Sequence, residues 1–133
     1  MGANRNIDLQ CAECGMKIAE VEGVTQSLAN NALAVLLEQG IYALFLFLCS
    51  RGSKDDKAAR DVGKHIDQLL EKVVLKENDG DAQEDCTSAW LKSVRDKFCL
   101  DLKKTILAKD IAEQVLIYVR YHIKARDEKS GGE

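Results

Sequence analysis

The sequence predicts an all-α fold, a compact single-domain bundle of five to seven helices, and three observations support it. The chain of 133 residues is long enough for one domain with a hydrophobic core. Its 46% hydrophobic and 31% charged residues are typical of a globular protein. It contains no proline, which favours long helices, since proline interrupts helical hydrogen bonding.

The first helix is predicted around LQCAECGMK. Ile7, Cys11, Cys14, Ile18 and Val21 recur every three or four residues and form one apolar stripe. Because free cysteine packs as a small hydrophobe, this position predicts that both cysteines belong to the core.

A zinc or redox site at Cys11 and Cys14 is the alternative interpretation of this motif. Zinc needs three or four protein ligands, but the other three cysteines are isolated in the sequence and there are only two histidines, His65 and His122. A redox motif would be expected between a strand and a helix. We therefore predict no metal and no cofactor.

Two central helices are predicted within Asn30–Gly52, with Gly40 at their junction. The longest uncharged run after Glu38 is 12 residues, from Gln39 to Ser50. A membrane-spanning helix needs about 20 apolar residues. The segment therefore predicts buried helices and no membrane partner.

A long amphipathic helix is predicted from Asp55 to Lys76. Lys57, Arg60 and Lys64 follow one another on its polar side as a short basic stripe. Acidic residues interrupt the polar surface of this helix: Asp61, Asp67 and Glu71. Two interpretations stay open: a solvated, salt-bridged face or a surface that binds a polyanion.

An acidic loop is predicted at residues 77–85, which carry five carboxylates and no basic residue. The net charge of the whole chain is −3, so the remainder has a net charge of +2. The loop lacks the residue order of a calcium-binding loop. The average charge therefore conceals a weakly basic helical body.

The last part of the chain predicts two helices. One runs from Cys86 to Phe98, and a break is expected at residues 100–104. The second runs from Ile106 to Arg126, with Arg120 and Lys124 on its polar side. Residues 127–133 have no apolar pattern and are expected to fray.

Neither an enzyme nor a secreted protein is predicted. The sequence has no nucleophile elbow, P-loop, zinc-protease motif or dinucleotide-binding turn. We therefore expect no catalytic residues and no small-molecule substrate. The N-terminus lacks a signal-peptide pattern, and the odd number of cysteines favours the reducing cytoplasm.

Two blocks carry a resemblance to a known family: QSLANNALAVLLEQGIYALFLFL and LAKDIAEQVLIYVRYHIKA. The first has a polar lead, an apolar run, a central glycine and a leucine-rich run ending in Phe–Leu. Its matching residues are Ser27, Leu28, Ala34, Leu36, Gly40, Leu44, Phe47 and Leu48. The second matches at Ala108, Ala112, Leu116, Tyr118 and Arg120. In these blocks the chain resembles the small all-helical subunit of type III-B (Cmr) CRISPR effector complexes.

The resemblance implies a noncatalytic subunit. Such subunits stack as several copies along the backbone filament and contact target RNA beside the guide. The partners implied are the other subunits of the complex, further copies of this chain, and target RNA. The candidate RNA contacts are Arg120, Lys124, Lys57, Arg60 and Lys64. Asn30 and Asn31 stand where family members often have lysines, and Ile41 replaces a usual leucine.

A second hypothesis from a different class also remains open. A helical adaptor or oligomer that binds only proteins would have the same composition and helix pattern. RNA affinity of the basic faces distinguishes the two hypotheses.

Overall fold

The computed structural model describes residues 7–50, 56–75 and 88–131. This part of the chain is all-helical, without strands, and forms one compact domain, which confirms the predicted fold class. The helices are α1 (Ile7–Ala19), α2 (Gln26–Gln39), α3 (Ile41–Cys49), α4 (Asp56–Leu70), α5 (Ser88–Phe98) and α6 (Leu102–Gly131). A π-helical turn, Glu71–Leu75, extends α4.

The centre of the bundle is α6, which contacts every other helix in the described residues. Its strongest packing is against α1 and α2. Ile18, Leu28, Val62 and Leu116 come from α1, α2, α4 and α6, and they line the same interior space. This convergence places one hydrophobic core between the four helices.

The boundary between α2 and α3 lies at Gly40, as predicted. Gly40 has φ of 104°, a left-handed conformation that glycine adopts at little cost. The start of α2 is fixed by Thr25, whose hydroxyl oxygen accepts a hydrogen bond of 3.1 Å from the Leu28 N–H. This cap explains why the helix begins at Gln26, four residues before the predicted start.

The connection between α5 and α6 is shorter than predicted. Asp101 caps α6, since its Oδ1 accepts a hydrogen bond of 2.8 Å from the Lys103 N–H. The Thr105 hydroxyl donates to the Phe98 carbonyl at 2.6 Å and ties the first turn of α6 back to α5. These bonds start α6 at Leu102 and limit the break to residues 99–101.

The C-terminal end of α6 also differs from the prediction. The helix continues to Gly131, beyond the predicted end at Arg126 and through most of the expected frayed tail. Residues 125–129 are mainly good helix formers without proline, so the sequence does not stop the helix there. The predicted acidic loop at 77–85 lies outside the described residues.

None of the helices in the described ranges combines the length and apolar character needed to cross a membrane.

Candidate nucleic-acid interface

Arg120 and Lys124 lie on α6, one helical turn apart. Val119 and Ile123, the residues that precede them, are buried in the core. Because successive residues turn about 100° around a helix, the two cations are carried away from the core. Lys124 is exposed, whereas Arg120 is half-buried. We call these two residues the α6 basic face.

The guanidinium of Arg120 is unusual because its Nε is buried and has no hydrogen-bond partner. In the described part of the chain, no carboxylate lies within ion-pair distance of Arg120 or Lys124. A buried donor without an acceptor costs about 1–3 kcal/mol, more for a charged group. An external oxyanion cannot reach this buried Nε, so a phosphate contact of Arg120 would use the terminal guanidinium nitrogens, which have no partner in the described residues.

The second predicted surface, which we call the α4 basic face, consists of Lys57, Arg60 and Lys64. All three residues are exposed. They lie opposite Val62, which faces the interior. Arg60 already interacts with another group, so this face offers fewer available cations than its sequence indicates.

The two basic faces lie on different helices. Val62 of α4 and Leu116 of α6 line the same interior space. The three cations of the α4 basic face lie on the side of α4 opposite Val62. Arg120 follows Leu116 by one turn and is half-buried, so the α6 basic face begins at the edge of the core.

Asp67 corrects one of the two interpretations left open for α4. A solvated, salt-bridged face would expose this carboxylate, but Asp67 is only 8% exposed, although it is salt-bridged. Its Oδ2 accepts a hydrogen bond of 3.2 Å from Trp90 Nε1, and its Oδ1 accepts one of 3.0 Å from Lys97 Nζ. Lys97 also bridges to Glu71 at 2.6 Å. Asp67 is buried because Trp90 and Lys97 of α5 cover this part of α4.

This polar cluster fastens α5 to α4 and to the π-helical turn. Burial raises the pKa of Asp67, and the charge and hydrogen bond of Lys97 oppose that increase. Lys97 is thus occupied by two carboxylates and is not available to RNA. Phe45 supports the cluster from α3, with its ring edge-on to Trp90 at 5.3 Å between centroids.

Cys11 and Cys14 are core residues, as predicted, with 1% and 8% of their surface exposed. Burial raises the pKa of Cys11 to about 11 and that of Cys14 to about 12. Both thiols therefore stay protonated at neutral pH, a poor state for metal binding or redox chemistry. Within the described ranges, no three side chains form a possible metal-binding group.

A groove between α1 and α4 is lined by reactive and charged side chains, among them Cys14, His65, Lys17 and Lys72. The Cys14 sulfur lies 3.7 Å from the backbone carbonyl of His65. Burial lowers the pKa of His65, and nearby Asp61 opposes that shift. A protonated thiol bonded to a carbonyl is not an activated nucleophile, so this contact does not indicate a cysteine–histidine catalytic pair.

The cysteines do not uniformly support a reducing environment. Cys11, Cys14 and Cys99 are free, but Cys49 is disulfide-bonded. Its partner lies outside the described residues. Disulfides are rare in the cytosol, so this bond weakens the composition argument, and the cytoplasmic location stays a prediction.

No protein-family model, curated protein or solved structure matches the chain.

Proposed function

We propose that this protein is a noncatalytic small subunit of a type III-B CRISPR ribonucleoprotein complex, contacting target RNA through the α6 basic face. The observation that carries the RNA contact is that Arg120 and Lys124, two cations one turn apart on α6, pair with no carboxylate of the described residues. The assignment to this complex comes from the sequence resemblance. The subunit acts in the cytoplasm with the other subunits of the complex and with further copies of itself.

The α6 basic face is a stronger candidate for the RNA contact than the α4 basic face for three reasons. Neither Arg120 nor Lys124 is engaged with a carboxylate of the described chain, whereas Arg60 has a partner. Arg120 also belongs to the better-matched block of the resemblance. Phosphate recognition needs cations held on a firm scaffold, and α6 is the helix with the most extensive packing.

The function is tested in the assembled complex, prepared with its guide RNA and either wild-type or variant small subunit. Target RNA is titrated at several salt concentrations. Arg120→Ala/Lys124→Ala should weaken binding about equally for all target sequences, because phosphate contacts carry no base information. The log–log salt slope should fall by roughly 0.7 per lost contact to a single strand, or 0.9 to a duplex.

Two controls define the result. Lys57→Ala/Arg60→Ala/Lys64→Ala tests the α4 basic face, and Lys92→Ala removes an exposed charge on α5. Unchanged affinity and slope in both basic-face variants, with assembly intact, would refute the RNA contact. Loss of assembly with RNA affinity preserved would identify these faces as protein contacts.

A second candidate function, the protein-binding adaptor, is favoured by the turn between α5 and α6. Leu100 and Leu102 are 73% and 75% exposed, and Ile106 is 52% exposed. We call these three residues the turn surface. Hydrogen bonds of Asp101 and Thr105 hold the backbone of this turn. Such exposed apolar clusters mark protein contacts, which an assembly subunit also requires.

A further inference from the structure

Tyr121 differs from every other aromatic residue of the chain. It is 66% exposed, whereas the other six aromatic side chains are buried or half-buried. Tyr118, three residues earlier on the same helix, packs toward α1 and donates its hydroxyl to Asp8 at 2.8 Å. No such contact holds Tyr121. Its ring therefore contributes little to the core, and a structural role does not explain its position.

Tyr121 lies on the same helix as the α6 basic face. Around the axis of α6, the order is Arg120, Lys124 and Tyr121, together covering about 100° of the surface. Lys124 is one turn beyond Tyr121 and is exposed. An aromatic ring and two cations thus lie side by side on α6. This combination of a stacking platform and phosphate ligands is typical of single-stranded nucleic-acid binding.

We propose that Tyr121 stacks on an unpaired base of the RNA whose phosphates Arg120 and Lys124 bind. The inference rests on the proposed function and specifies its ligand as single-stranded RNA. Base faces are accessible only in unpaired nucleotides, because a duplex stacks them on their neighbours. Stacking is also tolerant of sequence, as every base has a π-face. The α6 basic face and Tyr121 together therefore bind unpaired RNA without base specificity.

Tyrosine-selective NMR of the full-length chain at low salt tests the contact, since it detects even weak binding. The probes are a 12-nucleotide RNA without self-complementarity and the same RNA annealed to its complement. On adding the single strand, the ring resonances of Tyr121 should move upfield through ring-current shielding. Tyr42 and Tyr118 serve as internal controls and should stay unchanged. Tyr121→Phe assigns the signal.

Affinity measurements complete the test. Tyr121→Ala should weaken binding of the single strand roughly 5- to 150-fold, the effect of losing one stacked base. Tyr121→Phe should bind like wild type, because the ring is kept. Binding of the duplex should be the same for all three proteins. Since the side chain is largely exposed, the melting temperature of Tyr121→Ala should equal that of wild type.

The outcomes separate this inference from the function on which it rests. If Arg120→Ala/Lys124→Ala weakens RNA binding but Tyr121→Ala does not, stacking is refuted and the phosphate contact stands. Equal losses by Tyr121→Ala for the single strand and the duplex also refute stacking. If wild-type protein gives no shifts with either RNA at low salt, the stacking inference is refuted, whereas the proposed function is decided by the titration of the assembled complex.

Discussion

At the scale of single residues, burial determines what the C-x-x-C motif does. Cys11 and Cys14 occur at the spacing of a metal or redox site, yet both sulfurs lie in the interface of α1 with its neighbours. Cys14 reaches the carbonyl of His65 on α4. Their raised pKa values follow from this burial. The motif is therefore a packing feature of α1.

Substitution of Cys14 tests this interpretation. Cys14→Ala should lower the free energy of unfolding by about 1–2 kcal/mol, because it removes one small buried group. Cys14→Asp should destabilise the protein by about 4 kcal/mol or more, because it buries a carboxylate in the core, and the nearby Lys17 and Lys72 offset only part of that cost. Thermal and urea unfolding measure both effects. An aspartate variant as stable as wild type would mean that this side of α1 is exposed.

At the scale of helices, the closest approach in the bundle depends on Gly15. A Cβ atom at Gly15 would lie 2.7 Å from Tyr118 Cβ and 3.1 Å from the Val115 carbonyl oxygen. Distances this short mean that α1 and α6 can pack at their present separation only with glycine at this position. The same contact brings Asp8 within reach of the Tyr118 hydroxyl.

A pair of glycine substitutions tests the helix contact. Gly15→Ala should destabilise the protein by about 1–3 kcal/mol, because the added methyl group pushes α1 from α6. Gly63→Ala is the matched control, since its Cβ would meet only ordinary contacts at 3.5 Å or more. It should be neutral or stabilising by up to about 1 kcal/mol through helix propensity. Urea unfolding compares the two, and equal effects would contradict the close packing.

At the scale of the whole molecule, the proposed binding surfaces lie on different elements. The α6 basic face lies toward the C-terminal half of the longest helix, and the turn surface precedes and begins that helix. The α4 basic face lies on a different helix. Under the proposed function, RNA and protein partners would therefore contact separate parts of the chain.

The last prediction concerns the turn surface. Leu100→Ser/Leu102→Ser should leave the free energy of unfolding within about 0.5 kcal/mol of wild type, because both side chains are already exposed. The same variant should lose incorporation into the complex, measured by co-purification. Leu9→Ser, at a 52% exposed position on α1, is the control and should assemble normally. Full incorporation of the double variant would exclude the turn surface as an assembly contact.

The sequence by itself determined the helices and most of their inward faces. Apolar spacing placed Cys11, Cys14 and Ile18 correctly, because helical periodicity is a local property that any three or four consecutive turns display. The glycine junction of α2 and α3 and the absence of proline are equally local. The same pattern also placed the α4 basic face and Lys124 outward, where they are exposed.

Only the tertiary structure decided which residues on the polar sides of the helices are covered by another helix, and which helix covers them. Asp67 lies on the polar side of α4, but α5 covers it and supplies Lys97 and Trp90 as partners. Arg120 has a buried Nε, and Tyr121 remains open, although they are neighbours in the sequence. These differences depend on contacts between helices distant in the chain, and helical periodicity within one element carries no information about them.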